Sequence, residues 1–273
     1  MRPECGHRGR SGSRHIRAHA LRQIEKPPRG IYLVLVMFYM DIMTQNTRIE
    51  WTDATWNPTT GCTKISPGCD NCYAERIAER FRGVVGHPYE GGFDLTLRPE
   101  RLSQPLKWKS SKMIFVNSMS DLFHKAVPQN FIDKIFEIME QADWHVFQIL
   151  TKRSSKLQSY VNRRYSEGGA PAHIWMGVSI EDGNRLSRLQ HLRRTNAPIK
   201  FLSLEPLIGR IGRLDLRGIS WVIAGGESGS GHRPVDPEWV RNRAGAACFP
   251  PRNSAPISSD HVQAGISVSR LCA

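Results

Sequence analysis

At 273 residues the chain is somewhat long for one compact domain and close to the ~250 residues of a single α/β barrel. Its 40% apolar and 23% charged residues, with 23 Gly and 17 Pro, exclude a collagen-like, coiled-coil or wholly disordered chain. The net charge of +13 sits unevenly: residues 1–42 carry eight Lys/Arg against three acids and residues 241–273 four against one, whereas 43–240 carry 26 against 21, so the total is no polyanion footprint of the centre.

The opening stretch, Met1 to Gly30, is rich in Arg, His and Gly and has neither helical nor strand period. It leads into Ile31 to Met40, ten consecutive apolar residues, too few for a spanning helix of ~20. No A-x-A-like cleavage site follows, so the expected location is cytoplasmic, with no membrane segment. Residues 1–42 read as a disordered leader, upstream of a natural start at Met43.

A weakly marked first strand near Thr55 to Asn57 precedes the most informative segment, Cys62-Thr63-Lys64-Ile65-Ser66-Pro67-Gly68-Cys69-Asp70-Asn71-Cys72. Three thiols in C-x6-C-x2-C on a Gly/Pro loop can wrap one metal centre, and the start of a following helix offsets thiolate charge. Of the six cysteines Cys5, Cys248 and Cys272 lie in the atypical ends, and the odd number of three left in the cluster, with no sign of an oxidising compartment, argues against disulfides. Spacing alone leaves three readings: an iron–sulfur cluster with one open iron, a zinc site completed by His87 or His124, or reduced structural cysteines. From Cys72 a helix is expected through Ile77 and Phe81, with Glu75, Arg76, Glu79 and Arg80 mostly exposed.

Beyond it, short apolar β-branched runs alternate with helical patterns, the signature of βα units around a parallel sheet. Strands are expected at Met113 to Val116, His145 to Leu150, Ile174 to Val178, Ile199 to Leu202 and Trp221 to Ala224. Between them, Pro128 opens a helix with the stripe Phe131, Ile132, Ile135, Phe136 and Met139, and Asp182 caps one carrying Leu186, Leu189 and Leu192. The pattern makes about six βα units, a partial barrel or an open sheet. In either, chemistry gathers at the carboxyl ends of the strands. Those ends are polar: Asn117 to Asp121, Thr151 to Arg153, Ser179 to Asp182, Ser203 to Pro206 and Gly225 to Ser228. Each is also an ordinary loop or cap composition, and their recurrence is what points to a polar ligand cavity. His124 and His145 read as satisfied structural histidines, and Trp51, Trp56 and Trp108 as core or loop anchors. After Val240 the pattern dissolves, and 241–273 reads as a disordered or frameshifted tail.

The run Cys62 to Arg76 (CTKISPGCDNCYAER), preceded by Ile49 to Pro58 (IEWTDATWNP), closely resembles the phage-associated three-Cys-motif family of uncharacterised proteins related to the radical SAM superfamily. The resemblance runs from about 44 to 241, through FVNSMSDLF at Phe115 to Phe123, QILTK at Gln148 to Lys152, GVSIE at Gly177 to Glu181, FLSLEP at Phe201 to Pro206 and GGESG at Gly225 to Gly229. The Cys-Tyr-Ala step is also similar to spore photoproduct lyase-like proteins. The resemblance implies an α/β fold, a partial (βα)6 TIM-like barrel of radical SAM type over 43–240. It implies a 4Fe-4S cluster on Cys62, Cys69 and Cys72, with S-adenosylmethionine (SAM) on the open iron, cleaved to a 5′-deoxyadenosyl radical. The first spacing is six residues where most radical SAM enzymes have three.

On that template Tyr73 covers the adenine or is a core tyrosine, Ser118 and Asp121 receive the methionine moiety, and Ser179 and Glu181 meet the ribose. Lys152, Glu205 and Glu227 face substrate, unless Lys152 forms a buried salt bridge with one of those glutamates. Three function classes follow: a radical SAM-like iron–sulfur enzyme, a non-catalytic zinc or iron–sulfur protein working through a three-Cys-motif partner protein, and a DNA-binding phage protein with salt-sensitive affinity.

Overall fold

The computed structural model describes residues 47, 49–228, 231–236 and 238–239, and the backbone of 265–268. The leader 1–42 and most of the tail 241–273 lie outside the described residues. Six strands follow in chain order, β1 (Ala54–Trp56), β4 (Met113–Val116), β5 (Val146–Thr151), β6 (Ile174–Ser179), β7 (Lys200–Leu204) and β8 (Trp221–Ala224), and Gly265–Val268 adds β9 at the far edge. Every pairing in this sheet is parallel. A small antiparallel ribbon, β2 (Thr59–Thr60) with β3 (Thr96–Leu97), stands apart from it. The fold is thus mixed α/β with a parallel sheet. Its strand order rises steadily across the sheet, as in singly wound βα folds, with no reversal of the kind that marks a doubly wound one. No pairing among the described residues joins β1 to β9, so barrel closure is not seen.

The helices are α1 (Tyr73–Glu79), α2 (Gln104–Lys107), α3 (Gln129–Gln141), α4 (Ser154–Arg164) and α5 (Ser187–Arg193). The period-2 alternation of the strands sorts side chains onto two faces. Ile114, Val116, Phe147, Ile149, Ile174, Met176, Val178, Leu202, Leu204 and Val222 share one core with the buried faces of α3, α4 and α5. The opposite face carries Phe115, Phe201 and Ile223, packed with Trp51 and partly buried Leu150, Trp175 and Trp221. The α3 stripe of Phe131, Ile132, Ile135, Phe136 and Met139 is buried as its period predicts, with Pro128 as N-cap. Among the described residues no helix is long and apolar enough to cross a membrane.

Several sequence expectations need correction. No helix separates β7 from β8, so the βα alternation breaks there: Leu207 and Ile211 fill the core from an irregular segment instead. In α1 the buried face is Ala74 and Ala78, small enough for close approach, while Ile77 is exposed. Asp182 caps only a 3-10 turn, Gly183–Arg185, by accepting from the Asn184 amide, and Leu186 in the junction is exposed while Leu189 and Leu192 are buried. Trp51, Trp56 and Trp108 are buried anchors.

Candidate metal centre

Because the strands run parallel, their carboxyl ends share one edge, and the segment from Gly61 to Cys72 crosses it. The start of that segment is set by Gly61, whose φ of +84° is left-handed and whose missing Cβ would stand 2.2 Å from the Asp94 carbonyl oxygen. Its amide donates to the Met119 carbonyl at 2.9 Å. Four strand-end groups then pin the loop. After β5, Arg153 donates to the Thr63 carbonyl at 3.0 Å and lies 3.5 Å from Cys62 Sγ. After β6, Glu181 accepts from Ser66 Oγ at 2.6 Å and packs so closely on Gly68 that a Cβ there would meet its Cγ at 2.2 Å. After β8, Glu227 accepts from Asn71 Nδ2 at 2.8 Å, and Arg233, paired with Glu227, donates to the Pro67 carbonyl at 2.7 Å. Pro67–Cys69 forms a 3-10 turn, and Cys72, in extended conformation, is the N-cap of α1. The three cysteines are unpaired and all half-buried.

The structure puts every residue expected at the site on this edge but gives many of them work inside the protein. Asp121 accepts from Thr151 Oγ1 at 2.7 Å, the amides of Phe123 and Lys152, and Arg153 Nη1 at 2.9 Å, which leaves it saturated rather than open to a methionine moiety. Glu181 is fully buried and its oxygens hold Ser66 and Arg188, each within 2.8 Å. Burial alone would raise its carboxyl, but Lys152, Ser66 and Arg188 outweigh that and keep it below the ordinary glutamate range. Ser179 is buried and gives its carbonyl to Arg188. Glu227, its side chain 3% exposed, anchors the loop. Tyr73 is not a core tyrosine: it is 37% exposed, and its hydroxyl donates to the Ser118 carbonyl. The Ser118 hydroxyl exchanges hydrogen bonds with the Asn57 amide.

Lys152 and Glu205 differ from these. Lys152 Nζ stands 3.9 Å from Glu181, which is the salt bridge the sequence allowed, though with a glutamate other than the two considered. Glu205 is half-buried, and loss of water raises its carboxyl from 4.5 to about 7; Lys152 opposes the rise and Glu50 adds to it. A raised carboxyl opposes folding once it must ionise, so its cost is absent below the unfolded value and complete above the folded one. Glu205→Gln is therefore expected to leave stability unchanged near pH 4 and to raise it by up to about 3 kcal/mol at pH 8. Thermal melts at the two pH values check this, and an equal shift at both would refute it.

The histidines proposed to complete a zinc site are engaged elsewhere. His124 is buried, with Nε2 against Thr63 Oγ1 at 2.9 Å and Nδ1 accepting from the Ala126 amide. His87 stacks on Phe81 at 3.8 Å and accepts from the Tyr89 amide. His145 bridges the Lys112 amide and the Pro105 carbonyl, the structural role expected of it. Among the described residues no three His, Cys, Asp or Glu side chains converge on one ion position. Three sulfur donors on one pinned loop are chemically suited to a soft metal centre, an iron–sulfur cluster among them. Burial, then the Asp121 carboxylate, push the Cys62 thiol up against the opposing Arg153 cation, so loading a metal there releases a proton.

Ser66, Gly68, Asn71, Arg153, Arg188 and Arg233 escaped the sequence reading. Gly68 within Ser66-Pro67-Gly68-Cys69 was a usable sign of close backbone approach; Arg153 and Arg233 reach loop carbonyls 90 and 166 residues away, which no local pattern marks, whereas Arg188 lies only seven residues from Glu181 and was open to a pairing argument.

A family model described as "Protein of unknown function (DUF5131)" matches residues 46–248. A comparison with curated proteins finds no match. The solved structure titled "Spore photoproduct lyase complexed with dinucleoside spore photoproduct" is similar at a TM-score of 0.42 and 11% identity, over 66% of this chain and 57% of that one. The chain therefore spans a little over half the length of that structure.

Proposed function

The chain belongs to the DUF5131 family of proteins of unknown function, and from its own site we propose that it is a radical SAM-like iron–sulfur protein, with a 4Fe-4S cluster held by Cys62, Cys69 and Cys72 and SAM as cofactor. One observation carries the reading: three unpaired thiols on a loop fastened at the carboxyl ends of β5, β6 and β8, over the edge where parallel α/β folds place their chemistry. The sequence resemblance of CTKISPGCDNCYAER supports it.

Such a cluster with SAM on its open iron supplies one-electron cleavage of the sulfonium. The chain's own residues do the remaining work. Ser66, Asn71 and Arg233 keep the loop in place, so the thiols are presented without a search of loop conformations. Tyr73, whose hydroxyl donates to the Ser118 carbonyl, sits at the start of α1, where the adenine is proposed to lie, and Ser118 is proposed to meet the methionine moiety. Lys152 and Glu205 are proposed to face the substrate. Lys152 offers a cation, and Glu205 Oε holds or releases a proton near neutral pH.

The test is anaerobic reconstitution of the full chain with iron and sulfide, followed by metal analysis and EPR of the reduced protein with and without SAM. Expected are about four irons per chain and a signal that changes when SAM is added. A cluster indifferent to SAM would shift the reading to a protein that works through a partner, and bound zinc without a cluster would overturn it.

A further inference from the structure

Arg153 is the cation that the described structure brings within hydrogen-bond distance of a proposed ligand sulfur. Its side chain is 13% exposed, at the carboxyl end of β5. Nη1 reaches both Cys62 Sγ at 3.5 Å and Asp121 Oδ2 at 2.9 Å, while Nη2 donates to the Thr63 carbonyl at 3.0 Å and its hydroxyl at 3.2 Å. The planar guanidinium fork is thus fixed from two sides, one by the cysteine loop and one by the sheet. Behind it Asp121, 9% exposed, is held by Thr151, Phe123 and Lys152 and cannot swing away. The result is a row of three groups, Asp121, Arg153 and Cys62, of alternating charge once the sulfur is a thiolate.

We infer that Arg153 and Asp121 set the reduction potential of the cluster through Cys62, with opposite signs. The inference rests on the iron–sulfur reading above. Reduction adds one negative charge to the cluster and its thiolates. A fixed cation donating to a ligating sulfur favours that state, and charge and hydrogen bonds at the sulfurs are the levers that set such potentials. A carboxylate directly behind the cation opposes it, because both act through a partly desolvated path where charges are weakly screened. Arg153 is a positioning residue: it touches the proposed ligand and the loop, and acts on the metal through them.

The experiment is a potentiometric EPR titration of the reconstituted full chain in four forms: unaltered, Arg153→Gln, Arg153→Lys and Asp121→Asn. The midpoint of Arg153→Gln is expected to move to a more negative potential and that of Asp121→Asn to a more positive one, with Arg153→Lys, which keeps the charge, near the unaltered protein. Loosening of the loop alone would move both variants in the same direction or only lower cluster content. Equal midpoints, or shifts of the same sign, overturn the inference. Should Arg153→Gln hold no cluster, Asp121→Asn decides: a positive shift supports the inference and an unchanged midpoint overturns it. Absence of iron and sulfide from the unaltered chain refutes the iron–sulfur reading itself, and with it the inference.

Discussion

A chain carrying Cys62→Ala, Cys69→Ala or Cys72→Ala, one at a time, is expected to retain no iron and no acid-labile sulfide after anaerobic reconstitution, where the unaltered chain takes up about four of each. The three thiols are the cysteines of the described residues and all are unpaired, so among the described residues no fourth thiol stands in for a lost one. On the proposed reading an open iron for SAM would take the fourth position, so two thiolates would leave two irons without protein ligands. The loss should be separable from unfolding. Each cysteine is only half-buried on a loop, and before reconstitution the variants are expected to be within about 1 kcal/mol in stability of the equally metal-free unaltered chain. Iron and sulfide per chain, read beside circular-dichroism melts, distinguish the two. A cluster that persists when all three are alanine would remove these residues as its ligands.

Glu181→Ala is expected to cost about 3–5 kcal/mol of stability, the largest effect of any single change at the carboxyl edge. Glu181 is 0% exposed and its partner Arg188 8%, at 2.8 Å; removing the carboxylate strands a buried guanidinium. The same change removes the acceptor of Ser66 and the surface on which Gly68 rests, so the cysteine loop should also become sensitive to proteolysis. Urea unfolding at pH 7 measures the first effect and limited proteolysis the second. Arg188→Met placed on top of Glu181→Ala should restore part of the loss, since it takes away the stranded charge. The sign with pH follows from the lowered carboxyl: the stabilisation is complete above the ordinary glutamate value and is lost as pH falls through the lower folded value. A cost below about 1 kcal/mol would show that the pair contributes little.

The two kinds of prediction draw on different parts of the chain. The thiols were singled out by spacing, because ligands to one centre on a short loop, the role proposed for them, must be close in sequence. Glu181 was singled out too, and the structure gives it Ser66 and Arg188 as partners within the protein. A polar residue at the end of a strand reads alike whether it faces a ligand or a neighbouring loop. Lys152 shows the same limit: its salt bridge was foreseen, but with Glu205 or Glu227, whereas the register of β5 beside β6 brings it to Glu181.

Local pattern was sufficient wherever the physics is local. Strand alternation, the apolar stripe of α3 and the C-x6-C-x2-C loop are set by side-chain period and loop length, and they determined the elements, the parallel α/β class and the three cysteines. The long-range partners of buried charges were decided by tertiary structure alone. Arg153 with Cys62 and Asp121, and Arg233 with Pro67, depend on which strand ends stand side by side, whereas Arg188 with Glu181 and Arg233 with Glu227 are pairs only seven and six residues apart whose geometry is set by the turn between them. A buried carboxylate must be matched by whatever cation the fold brings within reach, and one-dimensional spacing does not encode that distance.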